Sequence, residues 1–404
     1  MNRYAFLARW RRTKSAARAA VPPTLRRWLK ARTGLGHDRW EGRRRLAEVE
    51  PIVERYRHTR PTGPLRHRIA VTVAPEHPDA AALRAAAAEL GGDVRFLDPD
   101  DPGWPEQALA CDAEGHLFRL RHGSHPERSL DGARLELLHL CGAPAWPTRR
   151  EAYLYEDKAR AAWLLAALDV PHVPTVTFTR LREALAYLRD AAYPLVVKTR
   201  IGAGGSGVER VDGPRAAAEL ARTCLQDRWQ RRAADPRDAD FGYLTLQPYL
   251  ADTREHRVIR LGEAWFAHGK VRVPGGWRYS GSGTRDWELP GAHVLDAGAR
   301  VMEALGMTCG AVDLLEAADG RWWVLEVQAW YEGFRAAQMD VGGEPAVARR
   351  TPDGWRFEPA APHVHRGHAL RLLAFDAYLA GLTAPASAAP SARHARGRRP
   401  ARCP

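Results

Sequence analysis

The period of hydrophobic and polar positions changes repeatedly along the chain, and each change predicts an element. Residues 69–73 (IAVTV) form an apolar run of strand length, Asp79 to Leu90 an alanine-rich helix closed by Gly91 and Gly92, and residues 94–98 (VRFLD) a second strand, so a βαβ unit opens the globular part. Leu117 to Leu120 predicts a further strand and Gly132 to Leu140 a short helix, while Pro144 and Pro147 mark a boundary near residue 148. A helix is expected to begin at Lys158 with Trp163, Leu164, Ala167 and Leu168 as its apolar face. A strand from Val173 to Phe178 and a helix from Leu181 to Ala191 follow.

The chain is organised around residues 193–211, YPLVVKTRIGAGGSGVERV. β-formers run to Lys198, a glycine-rich loop follows, and a returning strand begins at Val208. Gly202, Gly204, Gly205 and Gly207 remove the side chains that would hold an anion off the backbone, so successive N–H groups can wrap a phosphate, with Lys198 as a point charge beside it. The spacing also satisfies G-x-G-x-x-G, but a dinucleotide site needs a helix next, and VERVDG alternates like a strand. A P-loop needs Lys followed by Ser or Thr where Val208 and Glu209 stand. A glycine-rich hairpin without a ligand is the plain alternative.

Beyond the loop the pattern predicts a helix from Ala216 to Cys224, a charged connection over 227–240, and strands from Tyr243 to Gln247, Glu255 to Leu261 and Ala264 to His268. A polar loop occupies 275–287, a helix Ala292 to Leu305, and a hairpin 310–330 with its turn at 318–320. Asp313 lies on one arm of that hairpin, and Glu326 and Gln328 are two apart on the other, sharing a face. Two carboxylates and an amide oxygen are hard ligands suited to Mg²⁺. Ordinary hairpin polarity is the alternative, but Leu314, Leu315, Val324, Leu325 and Val327 make the hairpin apolar, where carboxylates need a partner.

Composition changes the picture at the ends. At 404 residues the chain has room for two or three domains. It has no apolar stretch of spanning length and no signal-like run, so a cytoplasmic location is expected. Cys111, Cys141, Cys224, Cys309 and Cys403 are scattered, as expected of reduced thiols. Of the net charge of +13, residues 1–68 hold 19 basic and 5 acidic groups and residues 381–404 hold 5 arginines and no acid. The 37 basic and 43 acidic groups between them leave the globular part mildly acidic. Residues 1–64, with Phe6, Trp10, Trp28 and Leu29 among arginines, read as a basic arm that docks on the acidic body or a partner, or on an anionic membrane such as the inner face of the cell membrane. Nucleic acid is not expected, because no binding motif accompanies the charge.

Lysine usage is the sharper signal. The chain has 56 arginines and five lysines, and between residues 69 and 380 only Lys158, Lys198 and Lys270 remain. A lysine that survives such a drift is expected where a compact ammonium fits and a guanidinium fork does not. Lys158 stands in the first turn of a helix, where its charge opposes the dipole and calls for an anion. A metal at 363–368 (HVHRGH) is not expected, since Arg366 intervenes and a helix starts there.

In this order, the helix-start lysine, the strand lysine with its glycine-rich loop, the Q-x-Y-L run at 247–250 and the late Asp/Glu-x-Gln hairpin resemble the ATP-grasp superfamily over about residues 150–330. WRYSGSG (277–283) further resembles a loop of bacterial relatives of the ribosomal-protein glutamate ligases found among surface-polysaccharide genes, and the resemblance implies that the loop 275–287 lies in the substrate pocket. The resemblance implies an α/β fold in which two α+β subdomains clasp ATP, preceded by a Rossmann-like α/β domain. The corresponding division is a basic arm (1–64), a preceding α/β domain (65–148), a first subdomain (149–240), a second with the metal site (241–380) and a disordered basic tail (381–404). It implies ATP and Mg²⁺ as cofactors, with Mn²⁺ an alternative, and ligation of a small-molecule or polymer-linked carboxylate to an amine or thiol through an acyl phosphate. A non-catalytic nucleotide-binding protein and an ATP-dependent kinase stay open, as does a homodimer. Carried over by position, Lys158 and Lys198 hold the nucleotide phosphates under a flap containing Gly202, Gly204, Gly205, Ser206 and Gly207. Gln247, Tyr249 and Leu250 line the adenine pocket and Glu255 takes the ribose. Arg257 and Arg278 neutralise the transferred phosphoryl group and the carboxylate, and Asp313, Glu326 and Gln328 hold Mg²⁺, with Gln328 where the family has asparagine.

Overall fold

The structure, a computed structural model, describes residues 65–121, 125–200, 207–227, 229–230, 239–273, 275–279, 285–331, 338–360 and 366–383. The basic arm, residues 201–206 of the glycine loop, the run 280–284, His363, His365 and residues 384–404 of the basic tail lie outside the described residues.

The expected βαβ start extends into a four-stranded parallel sheet. It is built from β1 (Ile69–Thr72), α1 (Pro78–Leu90), β2 (Val94–Leu97), α2 (Trp104–Ala110), β3 (Gly115–Phe118), α3 (His125–Leu140) and β4 (Ala145–Trp146), in the order β2-β1-β3-β4. β1 is buried along its whole length, which is why it reads as an unbroken apolar run.

Two helices, α4 (Arg149–Leu154) and α5 (Lys158–Ala167), then lead to a smaller antiparallel sheet. Its elements are β5 (Val176–Phe178), α6 (Leu181–Asp190), β6 (Leu195–Lys198), β7 (Val208–Val211), α7 (Pro214–Gln226), the short pair β8 (Trp229–Gln230) and β9 (Ala239–Asp240), and β10 (Leu244–Pro248). The sheet order is β5-β10-β6-β7. Ala184 and Leu188 of α6 and Ala217, Ala221 and Cys224 of α7 close its own core over Leu195, Val197, Leu244 and Leu246.

The remainder forms an eight-stranded antiparallel sheet from β11 (Thr253–Leu261), β12 (Ala264–Lys270), β13 (Arg285–Asp286), β14 (Cys309–Ala317), β15 (Trp322–Gln328), β16 (Asp340–Val341), β17 (Glu344–Thr351) and β18 (Gly354–Pro359). Its main path runs β15-β14-β11-β12-β17-β16. α8 (Ala292–Leu305) lies against it so closely that a Cβ on Gly298 would stand 2.4 Å from Val258 Cγ1. α9 (Arg366–Thr383) joins this sheet to the first one: Phe375 stacks on Trp146 with ring centroids 6.2 Å apart, and Asp376 Oδ1 accepts the backbone N–H groups of Arg66 and His67 at 2.9 and 3.0 Å.

Packing therefore corrects the expected division in two places. β10 lies beyond the expected boundary at residue 240, yet it pairs with β5 and β6 in the smaller sheet. α4 and α5 precede the smaller sheet but bury Leu154, Ala161 and Leu165 in the core shared by the first and the large sheets. The apolar face expected for α5 is also rotated. Trp163 is 60% exposed, and the helix buries Ala159, Ala161, Ala162 and Leu165, small side chains that let it approach the body closely. Among the described residues, no helix is long and apolar enough to cross a membrane.

Candidate functional site

A cleft of about 900 Å³, its open mouth included, lies between the smaller sheet and the large one. Of the residues singled out in the sequence, Lys158, Lys198, Gly207, Gln247, Tyr249, Leu250, Glu255, Arg278 and Glu326 line it. Val173, Val196, Val208, Leu315 and Leu325 supply apolar wall from both sheets.

The backbone explains how the two cleft lysines meet. β6 ends at Lys198, opposite Thr245 on β10 and Val208 on β7. Two residues on, the carbonyl of Arg200 accepts the N–H of Lys158 at 3.0 Å, which seats the start of α5 beside the end of β6. Asp157 caps α5 by accepting from Arg160 N, and its carboxylate also holds Arg200 at 2.6 Å. The dipole argument made for Lys158 is thereby corrected: Asp157 already provides the acid that the helix start calls for.

Lys198 carries the electrostatic signal instead. It is 8% exposed, and its side chain makes no hydrogen bond and no ion pair among the described residues. Burial, and then the neighbouring charge of Lys158, pull its ammonium down to about 8. An anion arriving beside it raises that value again. Nucleotide binding near pH 8.5 is therefore expected to take up a proton, so the calorimetric enthalpy of ADP binding shifts with the ionisation enthalpy of the buffer, and this shift disappears in Lys198→Met. An enthalpy independent of buffer in the wild type would show that no anion reaches Lys198.

The large sheet carries a lattice of charges beside the same cleft, of which Glu255 and Glu326 line it. Antiparallel register aligns His268, Arg257, Asp313 and Glu326 in one row across β12, β11, β14 and β15, and Lys270 and Glu255 in the next row. Alternation puts both rows on one face, and a register shift after Asp313 lets Glu326 stand opposite it while Leu314 faces Val324. Gln328, opposite Ala311, shares that face.

Within the lattice Arg257 grips Asp313 with two bonds, Nε to Oδ1 at 2.7 Å and a terminal nitrogen to Oδ2 at 2.8 Å. Lys270 Nζ donates to Asp313 Oδ2 at 2.6 Å and also to Glu255 Oε1. Burial pushes the Asp313 carboxyl up, but Arg257 and Lys270 outweigh it and hold the group well below the usual carboxylate range. Glu326 goes the other way: burial raises it, and Lys158, 3.8 Å away, only partly opposes that. Its Oε1 is buried without a hydrogen-bond partner among the described residues.

Two expected roles are corrected by this geometry. Arg257 does not line the cleft, because its guanidinium is engaged by Asp313. Glu255 does line it, but one of its oxygens is taken by Lys270 instead of being left for a sugar hydroxyl. The expected Mg²⁺ ligands fit a divalent cation unevenly. Glu326 offers an unused oxygen, whereas both Asp313 oxygens already face cations. Among the described residues, no three or more His, Cys, Asp or Glu side chains are grouped to hold an ion. His368, the described histidine of the 363–368 run with a described side chain, is fully buried and accepts from Arg371 at 3.0 Å.

From the sequence, Lys270 and Arg272 have no site role, and Trp277 and Tyr279 only a place in the 275–287 loop expected in the substrate pocket. Lysine scarcity had already marked Lys270, but only the strand register shows that it bridges Glu255 and Asp313. Arg272, Trp277 and Tyr279 line the cleft from a turn whose course no periodicity reveals.

Residues 157–231 match the family described as carbamoyl-phosphate synthase L chain, ATP binding domain. In structure the chain resembles D-cycloserine synthetase DcsG, with a TM-score of 0.51 at 20% identity over 77% of this chain and 99% of that one. It also resembles D-alanine–D-alanine ligase from Bacillus anthracis, with a TM-score of 0.50 at 15% identity over 78% and 98% of the two chains. A RimK domain protein ATP-grasp from Sphaerobacter thermophilus DSM 20745 aligns over 64% and 90% with a TM-score of 0.48 and 19% identity. No curated protein matches the sequence.

Proposed function

We propose, on the premise that the chain has the ATP-grasp fold, that it is an ATP-dependent ligase that activates a carboxylate as an acyl phosphate and joins it to an amine or thiol. The observation that carries this reading is the pair of lysines, Lys158 and Lys198, that line one cleft, with Lys198 a buried ammonium there and the third lysine of the globular part, Lys270, behind it on Glu255 and Asp313. Lys158, Lys198, Arg257 and Lys270 together exceed the charge of Glu255, Asp313 and Glu326, and Arg272 and Arg278 at the cleft add to the excess. Such a site suits a polyphosphate anion.

In the reaction, a carboxylate oxygen of the acid attacks the terminal phosphorus of ATP and ADP leaves. The amine then attacks the acyl carbon, its N–H proton is lost, and inorganic phosphate departs. Lys158 and Lys198 hold phosphate oxygens, Gln247 to Leu250 receive the base, and the glycine run of 202–207 excludes water from the acyl phosphate. Glu326 and Asp313, with Gln328 beside them, would hold Mg²⁺, which when bound neutralises phosphate charge. The acid and the amine are free or polymer-linked, and the setting is the cytoplasm, where ATP is supplied, with the basic arm meeting an anionic surface.

The test is ADP release from ATP and Mg²⁺ on addition of paired carboxylic acids and amines, followed by mass spectrometry of the product. Amide or thioester formation with one phosphate per ADP supports the ligase. A phosphorylated product that survives added amine or thiol shows a kinase, and no ADP release from any acid–amine pair shows a nucleotide-binding protein without this chemistry.

A further inference from the structure

The turn that follows β12 packs at the end of the cleft lined by Tyr249. Its backbone closes on itself, with Val273 N–H donating to Arg278 O and Gly276 N–H to Val273 O, both at 2.8 Å, and Gly275 takes φ +68°, where a side chain would be strained. Two side chains tie the turn down to one atom: Tyr279 Oη and a terminal nitrogen of Arg272 both donate to the carbonyl of Thr253, while the Arg272 guanidinium lies 5.0 Å from the Tyr279 ring centroid. This anchoring delivers Trp277, half-buried, to the cleft wall.

There Trp277 meets Tyr249 edge to face, with centroids 5.7 Å apart and planes at 89°. On Tyr249 also lies the Arg210 guanidinium, 4.6 Å from the ring centroid. Arg210 comes from β7, Tyr249 from the segment just after β10, and Trp277 from the turn, so one column of cation and rings links both sheets at the mouth of the cleft. Tyr249 is itself held by its N–H, which donates to Pro194 O at 3.0 Å. Aromatic side chains with an edge contact of this kind are oriented rigidly, and base stacking on such rings is a strong and geometry-dependent interaction.

We propose that Trp277 is a positioning residue for the nucleotide base, and that the segment Gly275 to Arg278 belongs to the base end of the cleft and not to the carboxylate end. The proposal rests on the ATP-binding reading above and deepens it. Arg278, from the same turn, extends towards the cleft beside the base site, and the Tyr249 column couples base occupancy to the strand that returns from the glycine loop.

Calorimetric titration of the full chain with ADP and, separately, with inorganic pyrophosphate tests this. Trp277→Ala is expected to weaken ADP about tenfold, equivalent to about 1.4 kcal/mol, and to leave pyrophosphate affinity unchanged. Trp277→Phe, which keeps a ring, is expected to restore most of the ADP affinity. ADP affinity within twofold of wild type in Trp277→Ala, or an equal loss for pyrophosphate, would overturn the proposal. A wild-type chain that binds no ADP at all would overturn the parent reading instead.

Discussion

Lys198→Arg is expected to lower ATP turnover by roughly a hundredfold or more, as deep a loss as Lys198→Ala, because a preorganised charge donor aimed at a reacting phosphate contributes on that scale. The ammonium sits at the end of β6, where Lys198 is buried at the cleft. A planar fork carrying five donors on a fixed frame does not reproduce the compact point charge of a buried ammonium. Stability should move the other way. Burial lowers the Lys198 ammonium to about 8 in the folded chain, so between that value and the ordinary lysine value the unfolded chain binds more protons, and this group makes folding more favourable as pH rises across that window. Lys198→Met should remove that slope and raise the melting temperature near pH 7 while abolishing turnover. Wild-type-like turnover from Lys198→Arg would sink the argument from lysine scarcity.

The part of this site legible in the sequence was the part set by short-range periodicity. Alternation alone puts Glu326 and Gln328 on one face of β15, and the hairpin turn brings Asp313 opposite Glu326. The glycine-rich run after Lys198 likewise marks the strand end where a bare ammonium is placed. What periodicity cannot show is which strand lies alongside. Lys270 reaches Asp313 across β11, and nothing in either segment encodes that three-strand reach. The same limit hid the pairing of β10 with the smaller sheet, and the path of α9 back to Trp146. On α5 the error had another source. A pattern weighted by side-chain size favours Trp163, but a helix pressed against β15 is best served by alanines, and the tryptophan is left at the surface. Burial of the Lys198 ammonium without a counterion was likewise beyond reach, since exposure is a property of the packed sheets and not of the residue.

Removing Asp313 is expected to be the most damaging change on the large sheet. Asp313→Asn leaves Lys270 buried with Glu255 as its remaining bonded acid and Arg257 with only the more distant charges of Glu326 and Glu255, and breaking one partner out of a buried ion pair costs about 3–5 kcal/mol. Both stability and ATP-dependent turnover should fall steeply. Glu326→Gln should behave differently, because the lost oxygen has no hydrogen bond to forfeit: the fold should hold while the Mg²⁺ requirement rises. Lys270→Met separates the metal from the chemistry. With its ammonium gone, one Glu255 oxygen loses its close cation and Asp313 Oδ2 keeps only that of Arg257, so direct Mn²⁺ binding without nucleotide, read by electron paramagnetic resonance, should tighten. Gln328 supplies the length test. It reaches one methylene further than an asparagine, and Mg²⁺ demands oxygens at roughly 2.0–2.1 Å, so if Gln328 serves the ion, Gln328→Ala should raise the Mg²⁺ requirement and Gln328→Asn recover only part of it. Silence of both Gln328 variants with damage from the two carboxylate variants would leave a site of Asp313 and Glu326 alone. Mg²⁺ titrations unchanged in Asp313→Asn and Glu326→Gln, with Mn²⁺ affinity unmoved by Lys270→Met, would mean that the row of charges on β11, β12, β14 and β15 is a structural ion-pair network and that the metal binds elsewhere.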